Sequence, residues 1–202
     1  MGITPVYAPG ATPLDPDEAR ALIPQHLSTQ EQLNEWEHQN ILEGQEWAFT
    51  RRKKKLLSIE FMQALHRRMF GKTWRWAGSL RSTEKNIGVA PEQIAIRIGE
   101  LCNDVAVQLK HKSYPLQEMA ARFHHRLVYI HPFPNGNGRF ARVMTDLLLL
   151  DVGERPFAWG DTDLVAASEV RDRYIRALRA ADARDYRSLL EFLGCWRASI
   201  HG

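Results

Sequence analysis

The sequence predicts an all-α domain, mainly helical, with one small β-hairpin near residues 82–90. Apolar residues recur at three- and four-residue spacing through most of the chain, the period of a helix with one buried face. Proline and glycine gather at a few points between those runs, where they end helices. Only STEKNIGVA, at 82–90, lacks helical spacing and carries β-type residues around a central Gly88. A chain of 202 residues with 44% hydrophobic content can bury one substantial core, so one domain with an extension is expected.

The elements follow in order. Residues 1–28 hold Pro5, Pro9, Pro13, Pro16 and Pro24 and read as an irregular arm with one short helix through Asp17 to Leu22. Its Leu14, Leu22 and Ile23 need cover, so the arm is expected to wrap the domain. Thr29 with Gln32 forms a capping-box pattern, and Leu33, Trp36, Asn40, Ile41, Gly44 and Trp47 continue at helical spacing. Ser58 caps the next helix, which has Ile59, Met62, Leu65 and Met69 on one face and Gly71 at its end. Trp74 and Trp76 in WRWAGSLR read as core packing. Pro91 suits a first helical position, ahead of a long helix lined by Ile94, Ile98, Leu101, Val105 and Leu109. Residues 116–130 form a helix leading into a turn, and its His124 and His125 lack the acidic neighbours of a metal site. A further helical region runs to about Asp182.

Several function classes recede on composition. The formal charge is only +3, with one basic block, Arg51 to Lys55, which reads as a solvated segment. No nucleic-acid partner is expected. Two cysteines, Cys102 and Cys195, make no disulfide framework and lack metal-ligand spacing. No apolar run approaches a membrane span, and no basic-then-apolar leader opens the chain. A cytoplasmic protein without a membrane partner is the expectation.

The chemistry is concentrated in His131 to Arg142, HPFPNGNGRFAR. Pro132 and Pro134 end the preceding helix near His131. Gly136 and Gly138 permit unusual backbone angles and leave no side chain in a ligand's way. The run from Arg139 to Leu150 is helical in composition, so the turn feeds a helix N-terminus, where free N–H groups favour an anion. Arg139 and Arg142 fall one turn apart on that helix, a spacing suited to two phosphates. An ordinary imidazole accepts a proton near neutral pH, which makes His131 a candidate base. No GK[ST] follows, so this is not a P-loop.

HPFPNGNGRFAR resembles the motif HxFx[D/E]GNGRxxR of the Fic (Fic/DOC) family of AMP-transferases, matching at His131, Phe133, Gly136, Asn137, Gly138, Arg139 and Arg142. WRWAGSLR resembles the segment preceding the flap in that family. DRYIRALRAADARDYRSLLEFL resembles its C-terminal segment, and QNILEG its inhibitory helix motif. The N-terminal LDPDEA and LNEWE are similar to the bacterial Fic-domain family called mobile mystery protein B. The resemblance implies a mainly helical Fic fold divided as an arm at 1–28, a candidate inhibitory helix at 29–50 and a Fic domain at 51–200.

It also implies a function: transfer of AMP from ATP, with Mg²⁺ or Mn²⁺, to a Ser, Thr or Tyr hydroxyl of a target protein. Self-modification and a homo-oligomer are further partners it brings into view. His131 would be the catalytic base. Gly136, Asn137, Gly138, Arg139 and Arg142 would bind the phosphates, and Phe133 would point into the core. Ile87 and Gly88 in the hairpin would touch the nucleotide, and the hairpin would clamp the target by strand addition. Tyr174, Ile175, Leu178 and Asp182 would lie near adenine and ribose, although on their own they read as core residues and a cap. Glu43, followed by Gly44, would pair with Arg142 and obstruct the terminal phosphate; by itself Glu43 is one of several acids on its helix. Asn135 departs from the family acid that binds Mg²⁺. It leaves open a metal held by phosphates with Asn135 as a neutral ligand, a slower enzyme or silent nucleotide- or partner-binding module, and transfer of another nucleotide or phosphate-bearing group.

Overall fold

The computed structural model describes residues 12–50, 55–159 and 168–195. Pro5 and Pro9 of the arm, and the basic block apart from Lys55, lie outside these residues. Among the described residues eight α-helices follow one another: α1 (Pro16–Ala19), α2 (Gln30–Phe49), α3 (Ile59–Phe70), α4 (Ile94–His111), α5 (Leu116–Ile130), α6 (Asn137–Asp151), α7 (Glu169–Asp182) and α8 (Arg187–Phe192). The caps act as their residue types dictate. Thr29 accepts from the Gln32 N–H while the Gln32 side chain reaches back, and Ser58 accepts from the Phe61 N–H. A 3₁₀ turn at Pro91–Gln93 leads into α4.

The central helices α5 and α6 form a hairpin through the His131–Arg142 turn. α4 packs on α5, α3 lies across α6, and α2 lies along α3. The main core joins Met62, Leu65, Met69 and Phe70 of α3 to Phe123 and Leu127 of α5, and to Phe140 and Met144 of α6. A second cluster seats α7 and α8, through Ala177, Ala181 and Leu189, against Ala120, Ala121 and Leu149. The arm wraps the α2–α3 side, with Leu22 and Leu27 buried. No helix among the described residues is long and apolar enough to cross a membrane.

The expected hairpin at 82–90 is absent, and the segment is an irregular loop. Its backbone is satisfied in another way. The buried Arg81 guanidinium donates to the carbonyls of Thr83 (2.8 Å) and Val89, and to that of His131 (2.7 Å). One cation thus gathers both ends of the loop and ties them to the end of α5, leaving no need for a ladder. Among the described residues the β-type pairing is a single antiparallel bridge between Leu22 and Trp74, which fastens the arm beside α3.

α2 does not present Glu43 inward. Glu43 pairs with Lys72 at 2.5 Å and its side chain is 53% exposed. Gly44 has a packing reason: a Cβ there would fall 2.7 Å from Cα of Met69, so the glycine lets α2 approach α3. Gly44→Ala should therefore cost about 1–3 kcal/mol in denaturant unfolding, as overpacking does, whereas Glu43→Gln should stay within about 1 kcal/mol, as for an exposed pair.

Buried histidines predict a pH dependence. Burial lowers His66 and His124 to about 3 each, so both are neutral in the fold. The unfolded chain protonates them near the ordinary value of about 6.5. Their contribution to stability is therefore complete above about pH 6.5 and is lost as pH falls toward 3. The melting temperature should fall across that window, and calorimetry at about pH 5 should record proton uptake on unfolding.

Candidate functional site

The turn between α5 and α6 is a polar loop held inside the core. α5 ends because His131 takes a left-handed conformation, φ 53 and ψ 61. Phe133 is wholly buried and stacks on His66 of α3, ring centroids 3.7 Å apart. The Gly78 N–H donates to His66 Nδ1 at 3.0 Å, so the proton is on Nε2, which donates to the Asn135 carbonyl at 3.1 Å. Asn137 closes the loop on itself. Its Oδ1 accepts from the Phe133 N–H (2.9 Å) and its Nδ2 donates to the Phe133 carbonyl (2.8 Å). Gly136 has φ 77, and a Cβ would fall 2.5 Å from the Phe70 ring, so no other residue fits.

A cavity of about 460 Å³ opens above this turn, within the range of small-ligand sites, roughly 300–1,000 Å³. It collects sequence-predicted residues from three parts of the chain: Ile87 and Gly88; His131, Asn135, Gly136, Asn137, Gly138, Arg139 and Arg142; and Tyr174, Ile175, Leu178 and Asp182. Glu43 and Gly44 are not on its wall. The backbone at Gly88 lies close to the histidine, since a Cβ there would meet His131 Cβ at 2.8 Å. At Gly138 the nearest atom to a Cβ is Arg142 Nη1 at 4.0 Å, so that position faces open space.

The electrostatics favour an anion. The N-terminus of α6 points its first-turn N–H groups, which lack helical acceptors, toward the cavity residues. The Gly136 N–H is already occupied by the Asn135 side-chain oxygen at 2.6 Å, which leaves the N–H groups further along. Burial pulls Arg142 below the usual guanidinium range, and Tyr174 opposes that as a hydrogen-bond partner. Among the described residues Arg142 makes no carboxylate ion pair. Arg139 is engaged: it pairs with Glu37 at 2.7 Å, both side chains being largely buried (18% and 11% exposed). Trp74 Nε1 donates to the other Glu37 oxygen at 2.6 Å.

His131 is buried. Burial first, then the charge of Arg81 and to a lesser extent that of Lys85, lower its pKa to about 4, and the Val128 carbonyl opposes them. Nδ1 has no well-formed hydrogen bond. The Val128 carbonyl can only accept, so the ring proton belongs on Nδ1 and the Nε2 lone pair faces the cavity.

Some predicted residues do work other than that expected. Asp182 lines the cavity but also accepts from His125 Nε2 at 2.9 Å, tying α7 to α5. The Tyr174 hydroxyl bonds His124 Nε2 at 2.9 Å. The Asn137 side chain is spent bracing the turn. Asn135 fits poorly as a metal ligand: its oxygen is taken by the Gly136 N–H, and its Nδ2 donates to the Thr12 carbonyl at 3.0 Å. No cluster of acids, histidines or cysteines among the described residues could hold a metal ion.

Sequence reasoning missed Glu37, His66, Lys85 and Thr12. Glu37 left a signal, since it stands four residues from both Leu33 and Ile41 on the buried stripe of α2, where a carboxylate is out of place without a partner. The other three depend on tertiary contacts that no local pattern encodes.

Residues 56–149 match the Fic/DOC family. The protein adenylyltransferase fic-1 of Caenorhabditis briggsae is 29% identical over 142 residues, covering 68% of this chain and 26% of its own length. The chain thus spans about a quarter of that relative. The N-terminal Fic domain of a cell filamentation protein from Bartonella quintana has the same fold, with a TM-score of 0.68 at 17% identity over 96% of this chain and 92% of its own. BepC of Bartonella tribocorum, solved with bound AMPPNP, has a TM-score of 0.65 at 18% identity over 83% and 87%. Residues 56–149 thus form a domain that matches the Fic/DOC family, within a chain that has the fold of solved Fic domains.

Proposed function

We propose that the chain is a protein adenylyltransferase, transferring AMP from ATP to a protein hydroxyl. The observation that carries this is the meeting of a neutral buried histidine, a helix N-terminus and two arginines on one cavity wall. The similarity to relatives named as protein adenylyltransferases supports it, as does the AMPPNP bound by the BepC protein.

In this reading the triphosphate lies over the start of α6. The first-turn N–H groups and Arg142 take up its charge, with Arg139 beside them. Adenine and ribose lie toward Tyr174, Ile175 and Leu178, and Ile87 and Gly88 close the far side. His131 Nε2 takes the proton of the incoming hydroxyl as that oxygen bonds to the α-phosphorus, and pyrophosphate departs in line. A base of low pKa is free at neutral pH, and phosphates beside it raise its affinity for the proton at the moment of transfer. Positioning and charge neutralisation supply most of the acceleration. Asn135 does not suit a resident Mg²⁺, so a divalent cation would arrive with the nucleotide, held by its phosphates.

An acidic brake also belongs to this reading, but with Glu37 as its carboxylate. Glu37 holds Arg139, one of the two motif arginines, and a phosphate must displace it. Breaking a largely buried pair costs about 3–5 kcal/mol when one partner is left bare; an incoming phosphate replaces the lost charge.

Separate incubations with α- and γ-labelled ATP, with a cell lysate as the source of acceptors, test the activity. Label passing to protein from the α-phosphate alone is expected; label from γ alone would instead indicate a kinase. His131→Ala should cut transfer by about 10²–10⁴-fold. The rate should rise with pH as His131 loses its proton, from a pKa of about 4 before nucleotide binds, and then level off. Glu37→Gln keeps an acceptor for Trp74 but removes the charge. It should tighten ATP binding in calorimetric titration while lowering the melting temperature; unchanged ATP affinity would remove Glu37 from the role of brake.

A further inference from the structure

We infer that Thr12 is an acceptor hydroxyl of this active site, so that the chain adenylylates its own N-terminal arm. The inference rests on the adenylyl-transfer reading above and names a substrate for it. The Thr12 hydroxyl lies 3.0 Å from His131 Nε2, the nitrogen whose lone pair faces the cavity. Both residues are buried. An oxygen donating its proton to the catalytic base is the geometry the acceptor needs.

The arm is held there by groups that no packing requirement explains. Asn135 Nδ2 donates to the Thr12 carbonyl at 3.0 Å. The ammonium of Lys85, with a side chain only 3% exposed, is paired with Asp15 at 2.9 Å and Glu18 at 2.5 Å. The Thr83 hydroxyl donates to Asp15 at 2.7 Å. The 82–90 loop, folded around Arg81, therefore grips residues 13–18 of the arm and Asn135 grips Thr12, while the hydroxyl rests on the base. The phosphate wall remains available with the arm seated: the cavity is bounded by Thr12 on one side and by Arg139 and Arg142 on another.

The step balances with ATP as the co-reactant. The Thr12 Oγ–phosphorus bond forms at the α-phosphate, and the bond from that phosphorus to the pyrophosphate oxygen breaks. The hydroxyl proton passes to His131 Nε2, and pyrophosphate leaves. Because acceptor and base belong to one chain, the reaction is unimolecular once ATP is bound.

The same contacts account for Asn135. A carboxylate at 135 has no N–H to donate and would set its negative charge against the lone pairs of the Thr12 carbonyl oxygen. Asparagine turns the position from a cation ligand into a clamp for the arm.

The test is site-mapped labelling of the full chain with α-labelled ATP and Mg²⁺, run on the native chain and on Glu37→Gln. We expect one AMP on Thr12, with a first-order rate constant that does not change when the protein is diluted. Thr12→Val should lose about tenfold or more of the self-label while still binding ATP, and Thr12→Ser should retain it. Asn135→Asp should move label away from Thr12 toward other acceptors. AMP found only on other residues, or only on added proteins, overturns the Thr12 assignment and leaves adenylyl transfer standing. No AMP transfer to any acceptor in either background overturns both.

Discussion

The reciprocal hydrogen bonds between the Asn137 side chain and both backbone groups of Phe133 are the constraint from which the site follows. They close the turn into a rigid loop whose Phe133 ring can be buried and whose polar edge must then face the cavity. Loop backbone inside a core is tolerated only when its N–H and C=O groups find partners. Here Asn137 supplies two, His66 a third at the Asn135 carbonyl, and Arg81 a fourth at the His131 carbonyl. With those satisfied, the turn can spend its remaining groups on a ligand: the His131 Nε2 lone pair, the open space over Gly138 and the first-turn N–H groups of α6.

That economy sets the electrostatics. Two arginines on one helix face repel each other, and the fold treats them differently. Arg139 is neutralised by Glu37, reached across from α2 and steadied by Trp74. Arg142 lies deeper, beside the Tyr174 hydroxyl, which is itself fixed by His124. The first arginine is stable without ligand and the second is the more exacting in its need for an anion. A polyphosphate therefore gains most at Arg142 and has to compete at Arg139. The position of α2, fixed by Gly44 against Met69, is what brings that competition into range.

Much of this was legible in the sequence, and unevenly so. The helices were, because caps such as Thr29 and Ser58 and apolar spacing act locally. The His131–Arg142 turn was, because its proline, glycine and arginine spacing is contiguous. The 82–90 loop misled, since β-type residues around Gly88 suggest a hairpin unless a cation elsewhere takes up the carbonyls, and Arg81 does so only in three dimensions. The resemblance of QNILEG to an inhibitory motif points to Glu43 as a brake. The helix phase contradicts it: Glu37, with Leu33 and Ile41, is on the inward stripe, and Glu43 is turned to Lys72. Thr12 carried no signal at all, because its meaning lies entirely in a contact 119 residues away.

Asn135 ties these strands together. An acid at this position would add a negative charge at the mouth of a cavity proposed to receive a triphosphate, a cost a divalent cation would have to offset. Asparagine removes that charge, keeps one oxygen to cap the Gly136 N–H, and gains an N–H directed at the arm. The exchange is self-consistent only if something with a carbonyl is seated opposite, and Thr12 is. Lys85 extends the same logic, since a lysine buried to this degree is unfavourable unless carboxylates meet it, and Asp15 and Glu18 do so from the segment that carries Thr12. The arm, the loop and the altered motif position thus each satisfy a group that the others would leave unpaired. Removing the arm would leave the Lys85 ammonium and the Asn135 Nδ2 without the partners it supplies.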